Sequence, residues 1–120
     1  MNDSKNRIPL QISRKVVTVP IRYELTNHIL ENLKIDLLQF IEDHKDASAV
    51  VFDLNGVKIL DADNFEDLKK VMQMIEIMGL RVMLCGLAPG IVSAIIDMEI
   101  DVSNINTTLD LNEALEELNV

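Results

Sequence analysis

Three aspartates, Asp53, Asp61 and Asp63, are the residues whose type and spacing most invite chemistry. Asp53 closes the apolar run that begins at Ala49, and carboxylates at the C-terminal ends of parallel strands are where α/β sites assemble. With Mg²⁺, such a cluster can serve a phospho-acceptor or a metal-dependent enzyme. A phospho-acceptor also needs an acidic pair near the first strand and a lysine on a later one. The stretch from Ile8 to Val19 holds no carboxylate, which counts against that reading. Asp63 has a structural role open to it as well. Asp63-Asn-Phe-Glu66 has the form of a capping box, in which Asp63 accepts from free helix amides and Glu66 reaches back. Negative charge at that place also suits the helix dipole.

No other group assembles into a site. His28 and His44 fall in one helical segment, too far apart along it to share a metal. The single cysteine, Cys85, excludes an internal disulfide and any zinc site built from several thiolates. It sits in an apolar run and reads as a buried, inert thiol. The four glycines, Gly56, Gly79, Gly86 and Gly90, are scattered as turn and cap residues rather than gathered in a phosphate loop. No Ser-His-Asp or Cys-His set can be placed, and the methionines read as core filler. The expectation is therefore of no catalytic residue, no metal and no cofactor, with nothing that looks like a nucleotide site.

The elements that must position these residues follow from length and pattern. A chain of 120 residues makes one domain, large enough to fold without a metal or disulfide. With 11 Lys and Arg against 20 Asp and Glu, the net charge of −9 argues against nucleic acid and anionic membrane surfaces. The start is polar with no following apolar signal segment, and no run is long enough to span a bilayer, so a cytoplasmic protein is expected. Residues 1–7 read as a disordered tail and 8–120 as the domain. Ile8–Ile12, with Pro9 marking an edge, and Lys15–Val19 should form a hairpin turning near Ser13-Arg14.

From Leu25 to about Lys45 the period becomes helical, with Leu30, Leu33, Leu37 and Ile41 on one stripe. Ala49–Phe52 reads as a central strand. A helix from Asn64 to Met78 turns Phe65, Leu68, Met72 and Ile75 inward and stops at Gly79. Arg81–Cys85 is another buried strand. Pro89 opens a helix carrying Ile91, Ile95 and Met98 on its inner stripe. A weak strand is expected near Val102–Ile105. The last helix opens with the Asp110/Glu113 capping box and should bury Leu111, Leu115 and Leu118. The order β-β-α-β-α-β-α-β-α implies a single α/β domain: a mostly parallel central sheet, an antiparallel edge and about four helices.

Three segments in this order resemble the STAS domain, the anti-sigma factor antagonist family. Val50 to Phe65 is similar to its strand, Asp-Leu turn and Asp-Ser or Asp-Thr helix mouth. Met78 to Pro89 is similar to its Gly-x-x-Val-x-Leu-x-Gly-x-x-Pro segment, and Thr108 to Leu115 to the start of its final helix. The resemblance runs from about Ile8 to Leu118 and is nearest to the small scaffold subunits of the stressosome. It implies a non-enzymatic docking module of a bacterial stress-response, transcription-regulating pathway. The implied partners are a sister STAS-domain protein and a Ser/Thr switch kinase or anti-sigma factor, in a homo- or hetero-oligomer. It also implies control by phosphorylation of the hydroxyl at the helix mouth. The alternatives are a free anti-anti-sigma factor acting by partner exchange and, from another class, the phospho-acceptor or Mg-dependent enzyme using Asp53, Asp61 and Asp63.

Carried over position by position, the resemblance implies partner contacts at Asp61, Ala62, Asp63, Asn64, Glu24, Thr26, Gly86, Pro89 and Gly90. Two of these depart from the pattern. The switch position is Ala62, which has no hydroxyl. Two origins stay open: a member with a fixed switch, or a serine replaced to hold the unphosphorylated form. Asp63, one residue on, carries about half the charge of a phosphate. Glu24-Leu-Thr26 stands where the family has an acidic residue, Leu and Asp. Thr26 can still cap the first helix, but a carboxylate used towards partners is missing.

Overall fold

The structure, a computed structural model, describes residues 7–120. Of the tail expected over 1–7, positions 1–6 lie outside the described residues, while Arg7 pairs with Asp36 at 2.7 Å. The elements are β1 (Gln11–Ser13), β2 (Val16–Pro20), α1 (Asn27–Asp43), β3 (Ala49–Asp53), α2 (Ala62–Ile77), β4 (Arg81–Cys85), α3 (Pro89–Asp97), β5 (Thr107–Thr108) and α4 (Leu111–Glu117). The sheet order is β1-β2-β3-β4-β5. β1 is antiparallel to β2 and every other neighbouring pair is parallel, as the alternation of strand and helix requires.

Side chains leave a strand alternately to its two faces, and both faces of β2, β3 and β4 are apolar. Val17, Val19, Val50, Phe52, Val82 and Leu84 face one side, where α1, α2 and α3 bring Leu30, Leu33, Leu37, Phe65, Leu68, Ile75, Ile91 and Ile95. Val16, Ala49, Val51, Met83 and Cys85 face the other, which α4 covers with Ala114 and Leu118. The expected stripe of α1 and the inward set of α2 are all buried. Each such aliphatic or aromatic side chain contributes about 1.5–3 kcal/mol.

The hairpin turns on Arg14 and Lys15, which lie at φ 53° and 69°, while Ser13 pairs with Val16 across it. Two successive left-handed residues make the mirror-image turn that Asn-Gly adopts most readily. Replacing Arg14 with Asn and Lys15 with Gly is expected to stabilise the fold by about 1 kcal/mol. Thermal melts should show a rise of roughly 4 °C; no rise would mean that the turn is not strained.

Several local expectations are corrected. β1 begins at Gln11 rather than Ile8, although Ile8 and Leu10 still pack against the core. The weak strand lies at Thr107–Thr108, not at Val102–Ile105. There an Asx turn, in which Ser103 N–H and Oγ donate to Asp101 at 3.0 and 2.7 Å, bends the chain away from the ladder. Met98 caps α3 and is exposed rather than inward. In α4 the innermost residue is Ala114; Leu118 is buried, and Leu111 and Leu115 only half so.

Candidate functional site

β2, β3 and β4 run parallel, so the segments that follow them emerge at one end of the sheet. The segment after β2 leads to Thr26, whose Oγ1 accepts from Ile29 N at 3.2 Å and caps α1. The segment after β3 leads to α2. Its N-cap is Asp61, whose Oδ1 accepts from the amides of Asp63 and Asn64 at 2.9 and 3.2 Å. This corrects the capping box placed at Asp63. That residue is exposed in the first turn, and the cap lies two residues earlier. Ala62 is the first helical residue and is half-buried.

Starting the helix at 62 gives Asn64 a tertiary task. Its Nδ2 donates to Leu25 O at 2.7 Å, tying the mouth of α2 to the segment just ahead of α1. The structure therefore brings Asp61, Ala62, Asp63 and Asn64 alongside Glu24 and Thr26. Gly86 and Pro89 lie at the same end but line a different groove of about 510 Å³, with Asp53, Lys58, Leu109 and Asp110. None of residues 61–64 lines that groove, nor does Gly90.

Asp53, the first residue of the acidic trio, faces inward and is 5% exposed. Its Oδ1 accepts from Asn55 N at 3.0 Å, and Arg22 Nη2 stands 3.5 Å from Oδ2. Arg22 Nη1 also donates to Asn55 O at 2.9 Å. Asp53 and Arg22 together shape the turn after β3. With Asp61 directed at its helix amides, the trio does not converge. Among the described residues no three carboxylate, imidazole or thiol groups are placed to hold a metal. Arg22 and Asn55 escaped the sequence reading because their partners lie some thirty residues away in the chain.

Cys85 pairs with Asp53 across the β3–β4 ladder and is wholly buried. Burial pushes its thiol up to about 12, helped by the negative charges of Asp53 and Asp110. Native protein at pH 8 should therefore resist iodoacetamide and react only when unfolded. The unfolded thiol ionises first as pH rises, so the contribution of Cys85 to folding stability is complete below about pH 8.5 and declines above it. This group alone removes about 1.4 kcal/mol per pH unit in that range. Urea melts at pH 8 and 10 should show a smaller decline in Cys85→Ala than in the parent; equal declines would refute this origin.

A mixed five-stranded sheet of this order, with three helices on one face and one on the other, is the fold of the STAS domain. Among solved structures, a serine-to-glutamate variant of RsbS from Moorella thermoacetica superposes with a TM-score of 0.77 and 23% identity, covering 93% of this chain and 94% of that one. A chain from the molecular architecture of the stressosome, described as a signal integration and transduction hub, gives 0.68 and 19% over 92% and 96%. The anti-sigma factor antagonist SpoIIAA in its unphosphorylated form gives 0.66 and 13% over 93% and 97%. No family model and no curated protein matches the chain. The fold expected from the sequence is thus met.

Proposed function

We propose that this chain is a cytoplasmic, non-catalytic regulatory or scaffold protein. It docks a sister STAS-domain protein and a Ser/Thr switch kinase or anti-sigma factor through the mouth of α2, Asp61–Asn64, with Glu24 and Thr26 beside it. Gly86, Pro89 and Gly90 form a second part of the contact at the same end of the sheet. The observation that carries this reading is the built helix mouth. Asp61 holds the first amides, Asn64 locks the mouth to Leu25, and Ala62 stands half-buried at the first position. A phosphate on a hydroxyl there would be welcome to the helix dipole, yet would have to be desolvated beneath a docked partner. One modification would release the partner and leave the fold intact. SpoIIAA, whose fold this chain shares, is described in both phosphorylated and unphosphorylated forms. With alanine at 62, the chain would hold the partner-binding state.

The test is a pull-down from native-host lysate with this chain and its Ala62→Ser variant as baits, read by mass spectrometry. Recovery of a STAS co-subunit and a small kinase, with phosphate added only to the Ser bait, supports the scaffold. Recovery of an anti-sigma factor alone would turn the reading to a free antagonist. No specific partner on either bait would overturn both.

A further inference from the structure

Two neighbouring loops carry large apolar side chains that the fold leaves in water. Tyr23, the chain's single tyrosine, is 70% exposed, and Ile59 is 64% exposed. Isolated exposed aliphatics are ordinary on any protein surface. These two differ because their loops are fastened to one another at both ends. At one end, Arg22 Nη1 donates to Asn55 O at 2.9 Å, and the α-carbon face of Gly56 lies against Arg22, where an added Cβ would stand 3.1 Å from Arg22 O. At the other, Asn64 Nδ2 donates to Leu25 O at 2.7 Å. Between these ties lie Tyr23 and Glu24 on one segment, and Lys58, Ile59, Asp61 and Asp63 on the other. The ionised groups of these segments are three carboxylates against one ammonium, since Arg22 is matched by Asp53, and Arg7, which lines a groove with Tyr23, is matched by Asp36. Held this way, the backbone that carries Tyr23 and Ile59 loses little freedom on binding, which lowers the ordering cost of using a tyrosine as an anchor.

We propose that Tyr23 and Ile59 are the apolar anchors of one docking surface. Its occupant is a different protein that presents an apolar socket rimmed by Lys or Arg. The proposal rests on the reading that the α2 mouth binds a partner, and adds which residues supply the grip and what chemistry answers them. Charge decides the occupant. A second copy laid symmetrically on this surface would set Glu24, Asp61 and Asp63 against themselves, whereas a basic rim would meet them favourably.

The experiment places a photo-crosslinking residue at position 58 in native-host cells, which leaves both anchors intact. The crosslinked protein is identified and purified, and its affinity is measured by calorimetry for the parent, Tyr23→Ala, Ile59→Ala, Ala62→Asp and Ile35→Ala. Ile35 is an exposed control on α1. Tyr23, Ile59 and Ile35 are exposed and Ala62 is half-buried, and melts verify that each variant folds. The expected result is at least a tenfold weakening for each anchor variant, none for Ile35→Ala, and weaker binding at high salt. The proposal fails if the only crosslink is to a second copy or none forms. It also fails if neither anchor variant weakens binding, or if salt leaves binding unchanged. Ala62→Asp separates the two readings: if only that change releases the partner, the switch stands and the anchors fall. If only the anchor changes do, the anchors stand and the switch falls.

Discussion

Replacing Gly86 with alanine lowers the melting temperature by roughly 10 °C. Gly86 follows β4 directly at φ 76°, a left-handed conformation that costs an L-residue about 1–2 kcal/mol. The added Cβ would also stand 2.8 Å from the Asn55 amide nitrogen and closer still to the Asp53 carboxylate. Neither neighbour is free to retreat. The Asn55 amide donates to Asp53 Oδ1 at 3.0 Å, and Asn55 O accepts from Arg22. Leu54 N, between them, donates to Cys85 O at 2.9 Å. Relief of the overlap therefore breaks the turn after β3, which adds about 1–3 kcal/mol. The total is about 3 kcal/mol, a large share of the 5–15 kcal/mol by which a domain exceeds its unfolded state. Gly90 is the control. Nothing lies within 4 Å of its built Cβ, and it sits in α3, so Gly90→Ala should hold or raise stability. Calorimetry of both variants decides the matter: equal melting temperatures would mean that the Asp53 turn yields to the methyl group.

The same turn shows what could be read from the residues and what could not. The stripe Leu30-Leu33-Leu37-Ile41 and the strand Arg81–Cys85 were legible because period and run length are local properties. The interlock of Arg22, Asp53, Asn55 and Gly86 was not, because it joins segments after β2, β3 and β4 that only the sheet makes neighbours. The α2 mouth lies between these cases. Asp61 and Asp63 both have the composition of a cap, and Glu66 favoured Asp63. In the structure the cap is Asp61, and Asn64, the third residue of the helix, donates to Leu25. A contact across that distance in sequence leaves no periodic trace. Likewise, Val102–Ile105 has the composition of a strand, yet the Asx turn at Asp101 governs its path.

Adding a carboxylate at position 62 should release a docked partner about 100-fold while leaving the fold in place. Ala62 is half-buried at the first helical position, and under the proposed docking a carboxylate there would have to be desolvated by the partner. The helix itself tolerates the change. Negative charge in a first turn contributes about 0.3–1 kcal/mol, which offsets repulsion from Asp61 and Asp63, and thermal melts should agree to within a few degrees. Removing charge at Asp63 acts differently. That residue is exposed, so under the proposed docking it would meet a basic partner from the rim, where an ion pair contributes about 0.2–1 kcal/mol. Asp63→Ser should therefore weaken binding only severalfold. The two substitutions change the charge of the surface in opposite directions, so a partner that responds to net charge alone would bind Ala62→Asp more tightly and Asp63→Ser less. Weakening by both, with the larger loss at 62, is the outcome that local desolvation requires. Titration of the purified partner against the two variants measures it directly, and equal effects would mean that position 62 does not lie beneath the contact.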